Sequence, residues 1–264
     1  MAGAARPIVF LTDYGLNDEF VGVCHGVIAR IAPTVHVIDL THSIPAHDVL
    51  RGALTLGRAT PFMPPDAVYV AVVDPGVGSD RRALALEAAS GALLVGPDNG
   101  VLSLAWASLG GIARANEITS EAVRSPSVSR TFHGRDVFAP AAAHLATGFP
   151  IADVGDSLDP DTLQVLDLPG PMVAPGAIGA RVLGIDGFGN VQLNVEPSHL
   201  RSAGIEERLN VRGRTVPIVG TFADVPRGAL AAIVDSQGHV ALVVNNGSAA
   251  EMLALGQDAA VVLE

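Results

Sequence analysis

Three side chains with chemistry to offer stand at a turn and ahead of a helix. Asp74 and Arg81 flank the turn Pro75-Gly76-Val77-Gly78-Ser79-Asp80, and His133 stands ahead of an alanine-rich stretch. In an open α/β sheet chemistry is expected beyond the carboxyl ends of the strands, and a neutral imidazole can accept a proton. Pro75 fixes one φ angle while Gly76 and Gly78 admit conformations that a Cβ would forbid, so the turn can fold Arg81 back toward Asp74. His133 precedes a helix N-terminus, whose positive dipole end favours the uncharged ring. Asp13 follows an apolar run and sits beside Tyr14-Gly15, placed to accept both hydroxyls of a ribose. Each of these has a blander reading: a tight turn with a solvated basic pair, a hydrogen-bonded structural histidine, and, for Asn17 or Asp18, the N-cap of the next helix.

The apolar pattern predicts the elements that must hold these groups. Residues 67–73 have the length and β-branched content of a buried strand, and they end at Asp74. Residues 7–11 and 35–40 read as two more strands, 20–31 as a helix, and the stretch from His47-Asp48 through Leu56 as another. Residues 83–87 and 92–95 flank Ser90-Gly91 as a hairpin, and helices are expected at 101–109 and 137–147. His36 alternates within a strand and reads as structural, whereas the loop histidines His42 and His47 are evenly balanced between structure and a pocket wall. Asp98 and Asn99 read as helix caps, and the serine-rich residues 120–130 as a mobile loop. Prolines at 160, 169, 171 and 175 break the pattern. Beyond them the period shortens to two and no strong amphipathic helix appears. Short strands at 179–185, 191–195, 209–211, 216–219, 229–235, 239–244 and 259–263 predict a small barrel or sandwich. The fold class expected is therefore an N-terminal α/β domain (1–160) with a mostly parallel central sheet, a linker (161–176) and a small C-terminal β-barrel domain (177–264). In the second domain, Phe188 between two glycines invites a planar ligand to stack on it.

The chain has 264 residues, is 49% hydrophobic and carries a formal charge of −11, with 16 basic against 27 acidic side chains. Such a surface lacks the positive field that nucleic-acid binders use. No apolar run reaches the roughly 18 residues of a membrane helix, and the first residues do not read as a signal peptide. The single cysteine, Cys24, excludes an internal disulfide and a cysteine-based zinc site and fits a reducing cytoplasm.

Seven motifs in order resemble the S-adenosyl-L-methionine (SAM) hydroxide adenosyltransferases, or SAM hydrolases, and the related fluorinases and chlorinases. They are Thr12-Asp13-Tyr14-Gly15 with Asp18, Thr41-His42-Ser43-Ile44-Pro45, the 73–82 segment, Gly96-Pro97-Asp98-Asn99-Gly100, Phe132-His133-Gly134-Arg135-Asp136, residues 186–190 and the Asn-Asn-Gly turn. The resemblance implies an α/β domain followed by a β-barrel. It also implies a homotrimer whose sites lie between one subunit's first domain and its neighbour's second. It places the hydrolases' Asp-Arg-His set on Asp74, Arg81 and His133, the ribose-binding acid on Asp13, and acids near the methionine ammonium on Asp18 and Asp186. Adenine contacts fall on Phe188, Asn190 and groups near Asn246 and Ser248. No cofactor and no metal are implied. Against the halogenase pattern, Asp74 replaces a tyrosine, Val77 a halide-side threonine and Gly134 a halide-holding serine, so a water site is implied.

The reaction so implied is attack of water or hydroxide on the ribose C5′, releasing methionine and adenosine. The sulfonium leaves as a neutral thioether. The demand falls on the nucleophile, since bulk water has a pKa of about 15.7, and in-line placement can supply part of the roughly 7–11 kcal/mol that orientation offers. Arg81 would stabilise hydroxide character, His133 would accept or relay the proton, and Asp74 would orient the water and hold Arg81. The competing readings are a metal-dependent hydrolase built on Asp13, Asp74, Asp98 and His133, a non-catalytic adenosine or SAM binder, and a SAM-dependent halogenase.

Overall fold

The structure, a computed structural model, describes residues 5–168 and 170–264. Residues 1–4, at the start read as lacking a signal peptide, and Pro169, in the expected linker, lie outside the described residues. The chain divides into two compact units, Met1–Leu166 and Asp167–Glu264.

In chain order the first unit comprises β1 (Ile8–Thr12), α1 (Phe20–Ile31), β2 (Val37–Thr41), α2 (Val49–Ala59), β3 (Val68–Val72), β4 (Ala83–Ala88), β5 (Leu93–Pro97), α3 (Ser103–Ser108), β6 (Ile112–Glu117), α4 (Ala139–Ala146) and β7 (Ser157–Leu158). Its sheet has the order β2-β1-β3-β5-β4-β6-β7. The first four strands run parallel, and the rest add antiparallel pairs at one side. β1 and β3 are buried on both faces, which explains their unbroken apolar sequence. Ile8, Phe10, Val68 and Val70 face Val21, Cys24 and Ile28 of α1 and the alanines of α4. Val9, Leu11, Tyr69 and Ala71 face Leu56 of α2 and Trp106 of α3. Cys24 is fully buried, and burial pushes its thiol up to about 12.

The chain leaves β1 for β2 on one side and then crosses back to β3 on the other, a topological switch point where α/β sheets bind ligands. Thr12 is in register with Val72, so Asp13 and Asp74 emerge from neighbouring strands at one level.

Two local expectations are corrected. The N-cap of α1 is Glu19, with no side-chain capping bond, so neither Asn17 nor Asp18 caps it. Residues 120–130 are tied down: Ser125 N donates to Asp136 O at 2.8 Å and Ser129 N to Asp136 Oδ2 at 2.8 Å. The cause is Pro140, which has no N–H to give to the carbonyl four residues back. The turn Gly134–Phe138 is accordingly a wide π-type one, with Ala139 N donating to Gly134 O, and the carbonyl of Asp136 is left to Ser125.

The second unit comprises β8 (Met172–Ala174), β9 (Ala177–Ile185), β10 (Val191–Leu193), α5 (Pro197–Ala203), β11 (Arg208–Val211), β12 (Arg214–Pro217), β13 (Leu230–Val234), β14 (Val240–Val244), α6 (Ala249–Leu253) and β15 (Ala260–Leu263). Its antiparallel sheet runs β12-β11-β15-β9-β10-β14-β13, with β8 on β9. A bridge from Ile218, just past β12, to Ala232 of β13 links the two ends of that order, so the sheet is nearly a barrel. Val182, Leu193, Leu209, Leu242 and Leu263 are among its core side chains. The helices α5 and α6, absent from the sequence expectation, are too short to show a helical period. Their signals are Pro197 at the first turn of one and Ser248 accepting from Glu251 N at the head of the other.

Candidate active site

The turn after β3 closes through Val77 N to Asp74 O (3.2 Å) and Ser79 N to Gly76 O (3.1 Å). Gly78 has φ +77° and passes so close to Arg130 O that a Cβ would collide with it. This geometry returns Arg81 to the acid. Arg81 Nε donates to both carboxylate oxygens of Asp74 at 3.0 Å, and Nη2 donates to Oδ2. The second Nη2 proton goes to His133 Nδ1 at 2.7 Å. Only 10% of the Arg81 side chain and 5% of the Asp74 side chain are exposed. One guanidinium, lying over the Phe138 ring at 5.2 Å, thus joins the carboxylate to the imidazole.

Arginine only donates, so His133 Nδ1 must accept, and the neutral ring carries its proton on Nε2. Burial, reinforced by the Arg81 charge, holds His133 below the ordinary histidine pKa.

Asp13, Asp74 and His133 line one cavity of about 550 Å³, together with Tyr14, Phe20, His47, Val72, Val77, Ser129, Thr131, Phe132, Gly134 and Arg135. Arg81 lies behind the wall, holding two of its members. Asp13 Oδ2 accepts from His47 N at 2.9 Å, and of the two evenly balanced loop histidines His47 is the one in the cavity wall. The sequence reading passed over three rings as site residues. Tyr14, Phe20 and Phe132 pack edge to face, with centroids 5.2–5.9 Å apart. Tyr14 and Phe132 stand inside quoted motifs, but an aromatic beside a strand tip reads as core until the fold brings its partners to it.

Other candidates lie elsewhere. Asp18 is exposed and outside the cavity wall. Asp98 pairs with Arg82 and accepts from Gln164 N at 2.8 Å. His42 is buried against Phe10, 2.9 Å from Thr12 Oγ1, and faces Asp39 Oδ1 at 3.0 Å. His25 Nε2 reaches the same oxygen at 2.8 Å. Among the described residues His25, Asp39 and His42 form the one group of three whose atoms could converge on a metal ion. Asp39 already pairs with both imidazoles, hydrogen-bonded to His25, and their attraction outweighs its burial and lowers its pKa.

In the second unit, Asp186 is spent on its own loop: Oδ1 accepts from Phe188 N and Asn190 N at 2.9 Å and Oδ2 from Asn190 Nδ2 at 2.8 Å. That turn leaves Phe188 82% exposed. Phe188, Asn190 and Asn246 line a separate cavity of about 550 Å³ with Phe222, Val244, Asn245 and Gly247. Ser248 is not among its lining residues, and its hydroxyl caps α6.

Comparison with known proteins bears on this arrangement. The family model described as SAM hydroxide adenosyltransferase N-terminal domain matches residues 8–155, and the corresponding C-terminal domain model matches 180–262. A protein of Salinispora tropica named (R)-S-adenosyl-L-methionine hydrolase is 53% identical over 252 residues, 93% of each chain. A fluorinase of an Actinoplanes species is 30% identical over 278 residues, again covering 93% of each. Among solved structures, an uncharacterized conserved protein from Thermotoga maritima superposes with a TM-score of 0.89 at 35% identity, over 97% of this chain and 99% of that one. With both of its units matched in order, the chain belongs to the SAM hydroxide adenosyltransferase family.

Proposed function

We propose that the protein hydrolyses SAM to adenosine and L-methionine by attack of water at C5′ of the ribose. One observation carries this reading: Arg81 binds at once Asp74 and His133, two residues in the wall of a cavity beyond the carboxyl ends of β1 and β3. The Salinispora relative is named for this activity, and its identity to this chain is well above that of the fluorinase.

The hydrogen-bond directions suggest how the proton moves. His133 Nδ1 is occupied by an Arg81 N–H, and neutral Nε2 carries a proton, so His133 acts as a donor rather than as the base first expected of it. Asp74 Oδ1 accepts a single hydrogen bond among the described residues, from Arg81 Nε, and retains lone-pair capacity for a water proton. Water placed between them attacks C5′ as the C5′–S bond breaks. The bonding pair goes to sulfur, giving neutral methionine, and the proton passes to Asp74 and then to solvent. Arg81 balances the charge throughout.

Asp13 is assigned to the ribose hydroxyls, Asp18 and Asp186 to the methionine ammonium, and Phe188, Asn190, Asn246 and Ser248 to the adenine. The Asp18 assignment and those in the second unit come from the family resemblance, as does a homotrimer with each site shared between two subunits; a cytoplasmic location rests on the single cysteine. The exposure of Phe188 beside the cavity that it lines with Asn190 and Asn246 supports the adenine assignment of those three residues.

The test is to incubate chelator-treated protein with SAM, with and without chloride, and follow products by chromatography. Equal adenosine and methionine, indifferent to chloride and to chelation, are expected. A chlorinated nucleoside, or bound adenosine without turnover, would overturn the reading.

A further inference from the structure

Tyr14 carries a hydroxyl that the mechanism above leaves unused. It follows Asp13 at the tip of β1 and lines the same cavity as Asp74 and His133. Its ring is wedged between Phe20 and Phe132, with centroids at 5.9 and 5.7 Å. No side chain or backbone group of the described residues takes its hydroxyl. The oxygen presses on Gly134, the residue after His133: a Cβ there would collide with Tyr14 Oη and lie 3.0 Å from Cζ. Tyr14 thus fills the space that a side chain at 134 would take, and it brings to that end of the cavity an O–H that residue 134 cannot.

We propose that Tyr14 is a nucleophile-binding residue, its hydroxyl donating to the attacking oxygen beside the His133 Nε2–H. The inference rests on the hydrolase reading of the site. Its chemistry follows from counting lone pairs. A water molecule attacking C5′ uses one lone pair for the new bond and has one left for a single donor. Once its proton has moved to Asp74, the oxygen gains a third lone pair, and a second donor can be used. Two donors therefore fit hydroxide better than water, and the second acts only as the transition state is approached. Burial, with the nearby charges of Asp13 and Asp74, keeps the phenol neutral, so it donates and does not serve as a base.

Tyr14→Phe removes the oxygen and keeps the three-ring packing. We expect kcat to fall roughly 10²- to 10³-fold, with KM for SAM little changed and Tm unchanged. A purely structural role would move Tm instead. Gly134→Ser in the native background should be worse, because its Cβ meets the Tyr14 oxygen. The double variant Tyr14→Phe/Gly134→Ser should recover turnover above either single variant, since the serine hydroxyl enters the vacated space. Wild-type kcat in Tyr14→Phe, or a double variant no better than the singles, overturns the proposal while wild-type turnover keeps the hydrolase reading intact. A wild-type protein that forms no adenosine from SAM overturns that reading, and this proposal with it.

Discussion

At the scale of single residues, the decisive feature is that Arg81 spends both Nη2 protons, one on Asp74 and one on His133. Asp74→Asn keeps the shape but not the base, and kcat should fall roughly 10²–10⁴-fold with the fold unchanged by circular dichroism. The imidazole imposes a pH dependence of definite sign. Protonation would place an N–H on Nδ1, facing the Arg81 N–H, so only the neutral ring fits. Burial and Arg81 lower its pKa, so turnover should hold through neutral pH and decline only below the ordinary histidine value of about 6.5. In His133→Asn that acid limb should vanish from the kcat profile. A limb at or above 6.5 would contradict the assignment.

At the scale of elements, one side chain fixes where His133 stands. Asp136 accepts from Ser129 N and from Arg135 Nε (2.7 Å) and Nη2 (2.8 Å), binding the preceding loop to the turn that begins α4. Asp136→Asn gives up a charged acceptor, at a cost of roughly 1.5–3 kcal/mol. The lowered Asp136 pKa, in which these hydrogen bonds outweigh burial, gives that stabilisation its sign. It is complete above the ordinary carboxylate range and is lost as pH falls through the lowered folded value. Thermal melts at neutral pH should show the deficit in Asp136→Asn, and the gap should narrow in acid. The same device explains what the sequence hid. β1, β3 and α1 were legible because a two-sided strand and a long amphipathic helix carry their own period. The ordering of residues 120–130 was not, because it depends on a missing N–H at Pro140 and an acceptor further along the chain. Asp74 and Arg81 were legible as a pair through the Pro-Gly turn between them. The link to His133 spans 52 positions, and only the motif resemblance proposed it. Tyr14 was hidden as a site residue because its importance lies in the glycine opposite it.

At the scale of the whole molecule, the second unit holds an aromatic ring that its own core does not need. Phe188→Ala should leave Tm unchanged, because the side chain is exposed. It should raise KM for SAM roughly tenfold, within the about 1–3 kcal/mol that stacking a base on an aromatic supplies. Light scattering on both proteins should return a trimer mass, and an unchanged KM would remove Phe188 from the adenine site. Cys24 offers a route to watching that ring at work. It is the chain's single thiol, and with its pKa pushed up to about 12 in a sealed interior it is inert to thiol reagents at neutral pH. The native protein therefore gives a silent background for site-directed labelling. A fluorophore on a cysteine introduced at an exposed position, such as Val234 at the end of β13, would be the only one on each chain. The second unit could then be followed optically, with no need to mutate the native cysteine first.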